Sequence, residues 1–229
     1  MPDQPIAIGA ILYPGFEMLD MFGPLEMFSM LGSDVAVIHM VAEQAGPVHA
    51  ALGAEGPVGP RVIADYGFDD APPLDLILVP GGFGTFPQLE NPAMLEFLRT
   101  RSEQAQTVTS VCTGSALLAK AGLLDGKRAT SNKQFFALCA AQSERVHWIE
   151  EARWVEDGKF VTSSGVSAGM DMTLAVIESL LGPEVAETVS KYTEYTRHRN
   201  ASEDPFVSEL NSLVDAVADT SDEGAASAT

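Results

Sequence analysis

The chain has 229 residues, of which 46% are apolar, so it is long enough to form one domain with a substantial core. It carries 13 Lys and Arg against 32 Asp and Glu, a formal net charge of -19. This charge argues against nucleic acid or an anionic membrane as a direct partner, because both are negatively charged.

The N-terminal sequence has neither the basic region nor the cleavage site of a secretory signal, and no apolar run approaches the roughly 20 residues that span a bilayer. We therefore expect a cytoplasmic protein whose two cysteines, Cys112 and Cys139, stay reduced.

In the first half of the chain, apolar runs bounded by Gly and Pro predict buried strands, and apolar residues at helical spacing predict helices. Gly23-Pro24 is expected to break or kink the first helix. The segment 46–59 is rich in Gly and Pro and predicts an irregular excursion with a hairpin. The predicted strands are 5–13, 35–42 and 74–79, and the predicted helices are 18–31 and 91–106.

In the second half, strand 107–111 turns directly into a short helix that ends at Asp125-Gly126. Further predictions are a brief strand at 128–131, a hairpin at 154–161 around Asp157-Gly158, and helices at 132–142, 167–181 and 183–195.

Alternating strands and helices predict an α/β fold of the flavodoxin-like, doubly wound type, with a mostly parallel sheet covered by helices on both faces. We expect a single domain over residues 1–200, an amphipathic helical extension over 201–219, and a disordered tail over 220–229.

Cys112 lies where a predicted central strand meets a helix, the position of a nucleophile elbow. Such a turn is expected to expose the sulfur near the positive end of the helix dipole, which favours the thiolate. A free cysteine is otherwise most often a small buried apolar residue, and this is our interpretation of Cys139, which lies within a predicted helix.

Two other loops are expected at the same end of the sheet. Gly81-Gly82 forms either a tight turn or a pair of amides that approach a developing anion. Asp20 either caps a helix or acts as a proton shuttle beside the cysteine. The four histidines are scattered, so we predict no metal site and no cofactor.

Four motifs, in this order, make the chain similar to the ThiJ/PfpI superfamily and, within it, to the isocyanide hydratase branch: YPGFEMLDMFGPLEMF, LDLILVPGGFGT, VTSVCTGSALLAKAGLLDGKRAT and SSGVSAGMDMTLAVIE. The resemblance covers roughly residues 6–195. It implies a homodimer acting on a small molecule, with Cys112 as nucleophile and Asp20 as its partner. It also implies that Gly81, Gly82 and the amide of Thr113 bind an anion.

The resemblance also indicates which activity to expect. Thr113 follows the cysteine where protease and glyoxalase branches usually carry a nearby His, so a hydratase fits better. Many relatives read ATTHW where this chain reads ATSNK, so Asn132, which cannot titrate, replaces a histidine. Loops that include Phe83 and Asn132 are expected to line the substrate pocket.

The predicted function is hydration of an isocyanide to an N-substituted formamide through a covalent thioimidate on Cys112. Two alternatives remain: a glyoxalase or deglycase acting on 2-oxoaldehydes, and a non-enzymatic redox sensor based on Cys112. A related class of transcriptional regulator is not favoured, because the residues after Tyr195 are too few for a DNA-binding domain and are acidic.

Overall fold

The computed structural model describes residues 4–53 and 56–207. Its strands are β1 (Ile6–Ile11), β2 (Ala36–Val41), β3 (Gly46–Gly53), β4 (Gly56–Ala64), β5 (Leu76–Val79), β6 (Thr107–Val111), β7 (Arg128–Ala129), β8 (His147–Trp148), β9 (Trp154–Asp157) and β10 (Phe160–Ser163). Its helices are α1 (Met18–Ser29), α2 (Thr85–Gln88), α3 (Pro92–Gln104), α4 (Gly114–Lys120), α5 (Phe136–Ala140), α6 (Ala168–Leu181) and α7 (Pro183–Tyr192).

Six strands form the central sheet in the order β2-β1-β5-β6-β10-β9. All neighbours are parallel except the β10-β9 pair, the antiparallel hairpin predicted around Asp157-Gly158. Every residue of β5 is buried, as is typical of a strand covered on both faces. The flavodoxin-like α/β prediction is confirmed.

The order of the strands reverses beside β1, since the chain goes from β1 outward to β2 and then returns to β5 on the other side of β1. Right-handed crossovers on either side of this point place α1 on one face and α3 and α4 on the other. Helix α6 packs against α1 and α7, whereas α4 packs against α2, α3 and α5. A crevice is therefore expected at the carboxyl ends of β1, β5 and β6.

The first half of the chain departs from prediction in two places. Gly23-Pro24 was predicted to break or kink the first helix, and the break does not occur, because helix α1 continues through Pro24. Gly23 and Pro24 are buried and α1 packs against α6, so tertiary contacts outweigh the poor helix propensity of this pair. The predicted hairpin is present, with a shift of register between His49 and Ala51, but its antiparallel strands β3 and β4 reach Ala64, beyond the predicted segment.

In the second half, the helix predicted over 132–142 is only the short helix α5, so Asn132 lies in the loop before it. The brief strand β7 pairs with β8, which the sequence did not reveal, in a separate small sheet. Residues 201–205 are not helical, because Ala201 and Asp204 are bound to the edge of the domain. The remaining helix and tail predictions, over 208–229, lie outside the described residues.

No helix within residues 4–53 and 56–207 is long and apolar enough to cross a membrane.

Candidate active site

Cys112 occupies a strained turn between β6 and α4. Its φ angle is 59°, in the left-handed region that residues with side chains seldom adopt. The backbone is held on both sides: the Cys112 N–H donates to the Ser163 and Ser164 carbonyls, each at 3.2 Å, and the Cys112 carbonyl accepts from the hydroxyls of Ser115 and Ser131 at 3.2 and 3.0 Å. These bonds maintain the nucleophile elbow that the sequence predicts.

The prediction that this turn exposes the thiol was wrong, because Cys112 is only 6% exposed. Burial raises the pKa of the Cys112 thiol well above its ordinary value, and the Asp20 carboxylate raises it further. The backbone N–H of Thr113 and the side chain of Asn132 act in the opposite direction by hydrogen bonding to the sulfur. At neutral pH the resting group is therefore the thiol, and the thiolate forms when its proton is transferred.

Asp20 is the acidic neighbour of this thiol and comes from the first turn of α1. Its side chain is fully buried; Oδ2 accepts the Gly81 N–H at 2.9 Å, while Oδ1 has no hydrogen-bond partner among residues 4–53 and 56–207. Burial raises the pKa of Asp20 to about 8; the Gly81 amide lowers it, and the Glu17 carboxylate raises it further. Asp20 is thus a carboxyl group that holds its proton at neutral pH.

Gly81 and Gly82 hold the site together, and their amides are not free to bind an anion, which corrects the role expected of them. The Gly81 N–H donates to Asp20, and the Gly82 N–H donates to Thr113 Oγ1 at 3.0 Å. A Cβ at Gly81 would lie 2.6 Å from Thr113 N and 2.9 Å from Asp20 Oδ2. Only glycine permits this approach between the β5 loop, the acid and the elbow.

Tyr13 and Thr85 hold Thr113 in place by hydrogen bonds, and the sequence analysis predicted no role for either residue. Thr85 Oγ1 lies 2.8 Å from Thr113 Oγ1 and 3.1 Å from the Tyr13 hydroxyl, which donates to the Pro80 carbonyl at 2.5 Å. Burial raises the pKa of Tyr13 well above its usual range, so its hydroxyl stays a donor. Their position at the ends of the two loops expected beside the cysteine is the sequence feature that could have identified them.

Asn132 is placed beside the sulfur with a defined orientation. Its Oδ1 accepts the Phe135 N–H at 3.0 Å, which leaves the Nδ2 donors for Cys112. Gly165 makes room for this pair, since a Cβ there would overlap Asn132 Nδ2 and lie 3.2 Å from Cys112 Sγ. Gly165 lies in SSGVSAG, part of a motif that carries the family resemblance. The sequence analysis predicted no functional role for any residue of that motif. As a hydrogen-bond donor, the Asn132 side-chain amide favours the thiolate form of Cys112, but it has no proton that titrates.

Phe83 lies at the mouth of the site and is 69% exposed. Its ring meets the edge of Phe135 with centroids 5.9 Å apart. The structure therefore gathers all seven residues predicted from the sequence around the elbow. Cys139 is fully buried in α5, in agreement with its structural interpretation. Within residues 4–53 and 56–207, no three His, Cys, Asp or Glu residues are arranged to hold a metal ion.

The parallel sheet, the turn into α4 and the positive φ at the cysteine define an α/β protein with a nucleophile elbow. The chain belongs to the DJ-1/PfpI family, whose family model matches residues 7–179.

One relative is an isonitrile hydratase of Pseudomonas putida, 37% identical over 190 residues that cover 83% of this chain and 78% of the relative. A ThiJ/PfpI family protein from Pseudomonas syringae has a crystal structure that matches with a TM-score of 0.75 and 30% identity, over 93% of this chain and 87% of that one.

Transcriptional regulators are also among the relatives. The HTH-type transcriptional regulator GbdR of Pseudomonas aeruginosa is 30% identical over 201 residues, covering 86% of this chain and 53% of the regulator. The chain thus spans about half the length of that regulator.

Proposed function

We propose that this protein is an isocyanide hydratase that converts R-NC and water into the formamide R-NH-CHO. The observation that carries the proposal is the burial of the elbow thiol of Cys112 and of the Asp20 carboxyl group, whose pKa of about 8 keeps it protonated at neutral pH, at the same end of the sheet. The terminal carbon of an isocyanide needs both a nucleophile and a proton, and this pair supplies both. Similarity to an isonitrile hydratase over most of both chains supports the same reaction.

In the first half-reaction, the Cys112 sulfur attacks the terminal carbon and forms the C–S bond. Asp20 delivers its proton to that carbon and receives the thiol proton in exchange. The product is the thioimidate R-N=CH-S on Cys112, and Asp20 is again neutral. Because the thiol and carboxyl exchange one proton, neither has to remain charged in this buried site, which agrees with the raised pKa of both.

In the second half-reaction, water adds to the thioimidate carbon. Asp20 takes a proton from the water and passes its own to the nitrogen, which gives the tetrahedral adduct R-NH-CH(OH)-S. The C–S bond then breaks as the C=O bond forms, and Asp20 moves the hydroxyl proton to the sulfur. Formamide leaves, and both Cys112 and Asp20 return to their starting states.

The neighbouring groups stabilise the charge that develops on sulfur in this sequence. The Thr113 N–H and the Asn132 side chain lower the pKa of the Cys112 thiol, and so favour the sulfur anion during attack and departure. The Gly81 amide fixes one oxygen of Asp20 and leaves Oδ1 unpartnered for proton transfer.

The test is a formamide assay with purified protein and a panel of alkyl and aryl isocyanides, run beside methylglyoxal. We expect formamide from the wild-type protein and none above background from Cys112→Ser. Methylglyoxal consumption with lactate formation and no formamide would instead favour the glyoxalase alternative. No turnover of either class, with oxidation of Cys112 by mild peroxide, would favour the redox sensor.

We further propose that the protein acts as a homodimer. Met18, Leu19 and Phe22 are large, exposed apolar side chains on α1, close to Asp20 in sequence. An apolar group of this kind is typical of a surface that a partner covers. Light scattering should give twice the chain mass, and a monomeric mass at micromolar concentration would contradict the dimer.

A further inference from the structure

We infer that Phe83, Phe86 and Phe135 form an aromatic wall that selects isocyanides with a neutral, bulky apolar substituent over small or anionic ones. This inference rests on the proposed function and assigns these three residues the choice of substrate. We call them the aromatic wall.

The wall is built around Phe135. The rings of Phe83 and Phe86 both meet it edge to face, each with centroids 5.9 Å away and interplanar angles of 76° and 72°. Phe86 and Phe135 are partly buried and pack on the core, whereas Phe83 is largely in water. Two rings are therefore anchored, and the third presents apolar surface that a ligand would cover.

The wall is connected directly to the reacting atoms on two sides. The Phe135 N–H donates to Asn132 Oδ1 at 3.0 Å, and the Asn132 amide lies beside the Cys112 sulfur, since a Cβ at Gly165 would touch both. Phe83 follows Gly82, whose amide is bound to Thr113. A substrate whose terminal carbon lies at the sulfur therefore extends its substituent between these two loops and along the rings.

The charges near the site disfavour an anionic substituent. Glu17 lies near Asp20 and adds negative potential. Lys133, although next to Asn132 in sequence, directs its ammonium to Thr130 Oγ1 and the Ala152 carbonyl, at 2.9 and 2.7 Å. A carboxylate-bearing isocyanide would lose hydration at the wall without gaining a cationic partner from Lys133.

The experiment measures kcat and KM for benzyl isocyanide, methyl isocyanide and isocyanoacetate in the wild-type protein, Phe83→Ala and Phe83→Leu. We expect the wild-type protein to prefer benzyl isocyanide to both others. Phe83→Ala should raise KM for benzyl isocyanide roughly tenfold and change the KM for methyl isocyanide less than about twofold, because only the larger group reaches the ring. Phe83→Leu, which retains apolar bulk, should recover part of the loss.

Tyr192→Ala is the matched control, since Tyr192 is an aromatic residue that is 77% exposed and lines a groove at the opposite end of the sheet. It should leave all three KM values unchanged. An equal rise in KM for benzyl and methyl isocyanide in Phe83→Ala would overturn the inference. A fall in native mass that accompanies the rise in KM would also overturn it, because Phe83 would then act in assembly. Absence of any isocyanide turnover in the wild-type protein would instead overturn the proposed function.

Discussion

The carboxyl end and the amino end of the central sheet differ in what they bury. At the amino end, a groove of about 970 Å³ lies beside the first residues of β1, β5 and β6. Asp75, a partly buried acid in its lining, has an ordinary partner, since it accepts the Ala7 N–H at 2.9 Å. At the carboxyl end, Cys112 has a positive φ, and Asp20 buries an unpartnered oxygen.

The presence of a groove is therefore a poor guide to chemistry in this fold. Three features each lower the stability of the folded protein: a strained backbone, a buried polar atom without a partner, and two acids with raised pKa values. They occur together at the carboxyl end. Within the described residues, those that line the groove at the amino end show none of these features, so we expect substitutions there to leave activity unchanged.

The largest difference in activity is expected when each of the two cysteines is replaced. Cys112→Ser should lower kcat for isocyanide hydration by roughly a thousandfold or more, because the serine hydroxyl is a far weaker nucleophile. Cys139→Ala, a change at an equally buried cysteine in α5, should keep kcat within about twofold. Steady-state formamide production checks both variants, and comparable losses in the two would argue against a unique role for the elbow.

Asp20→Asn should lower kcat roughly a hundredfold, since the amide keeps the shape of the carboxyl but cannot relay a proton. In the wild-type protein, activity should fall as pH rises through about 8, the pKa of Asp20, because the proton donor is then lost. A pH-rate profile measures this limb, which should be absent from the residual activity of the variant. An unchanged limb in Asp20→Asn would assign the titration to another group.

The same carboxyl should also make stability depend on pH. Its pKa rises from about 4 in the unfolded chain to about 8 in the folded one, so the folded state binds more protons between these values. The free energy of unfolding should therefore decrease as pH rises from about 4 to 8, by up to a few kcal/mol from this group. Denaturant titrations at several pH values should show a smaller decrease in Asp20→Asn.

Asn132→Ala should raise the pKa of the Cys112 thiol further and lower kcat roughly tenfold, because a donor to the sulfur is removed. The rate of iodoacetamide alkylation as a function of pH reports the thiol directly. Gly165→Ala should act in the same direction, since its Cβ displaces the Asn132 amide. Unchanged alkylation in both variants would mean that the amide does not support the thiolate.

The smallest effect is expected at the amino end. Leu180 is an exposed residue that lines the groove there. Leu180→Ser should change the free energy of unfolding by less than about 1 kcal/mol and leave kcat and KM unchanged. Formamide assays and thermal unfolding measure the two quantities. A marked loss of activity at constant stability would show that the two ends of the sheet are coupled.

Much of the fold could be predicted from the sequence because strands and helices follow local patterns. The strand over 107–111 and the turn that follows it were placed correctly, since an apolar run met Gly and small residues. Pro24 misled the prediction because its local propensity was outweighed by the packing of α1 on α6. Asn132 was assigned to a helix because the length of α5 is not fixed by its own residues.

From the sequence alone, the candidate nucleophile, the acid proposed as its partner and the loops that carry them could be placed, because each follows a strand whose carboxyl end lies at one edge of a parallel sheet. Their protonation states depend on the folded structure. Burial, which raises the pKa of both Cys112 and Asp20, depends on residues distant in sequence that exclude water. The same holds for Gly81 and Gly82, whose amides bind Asp20 and Thr113, because hydrogen-bond partners are chosen by the folded chain.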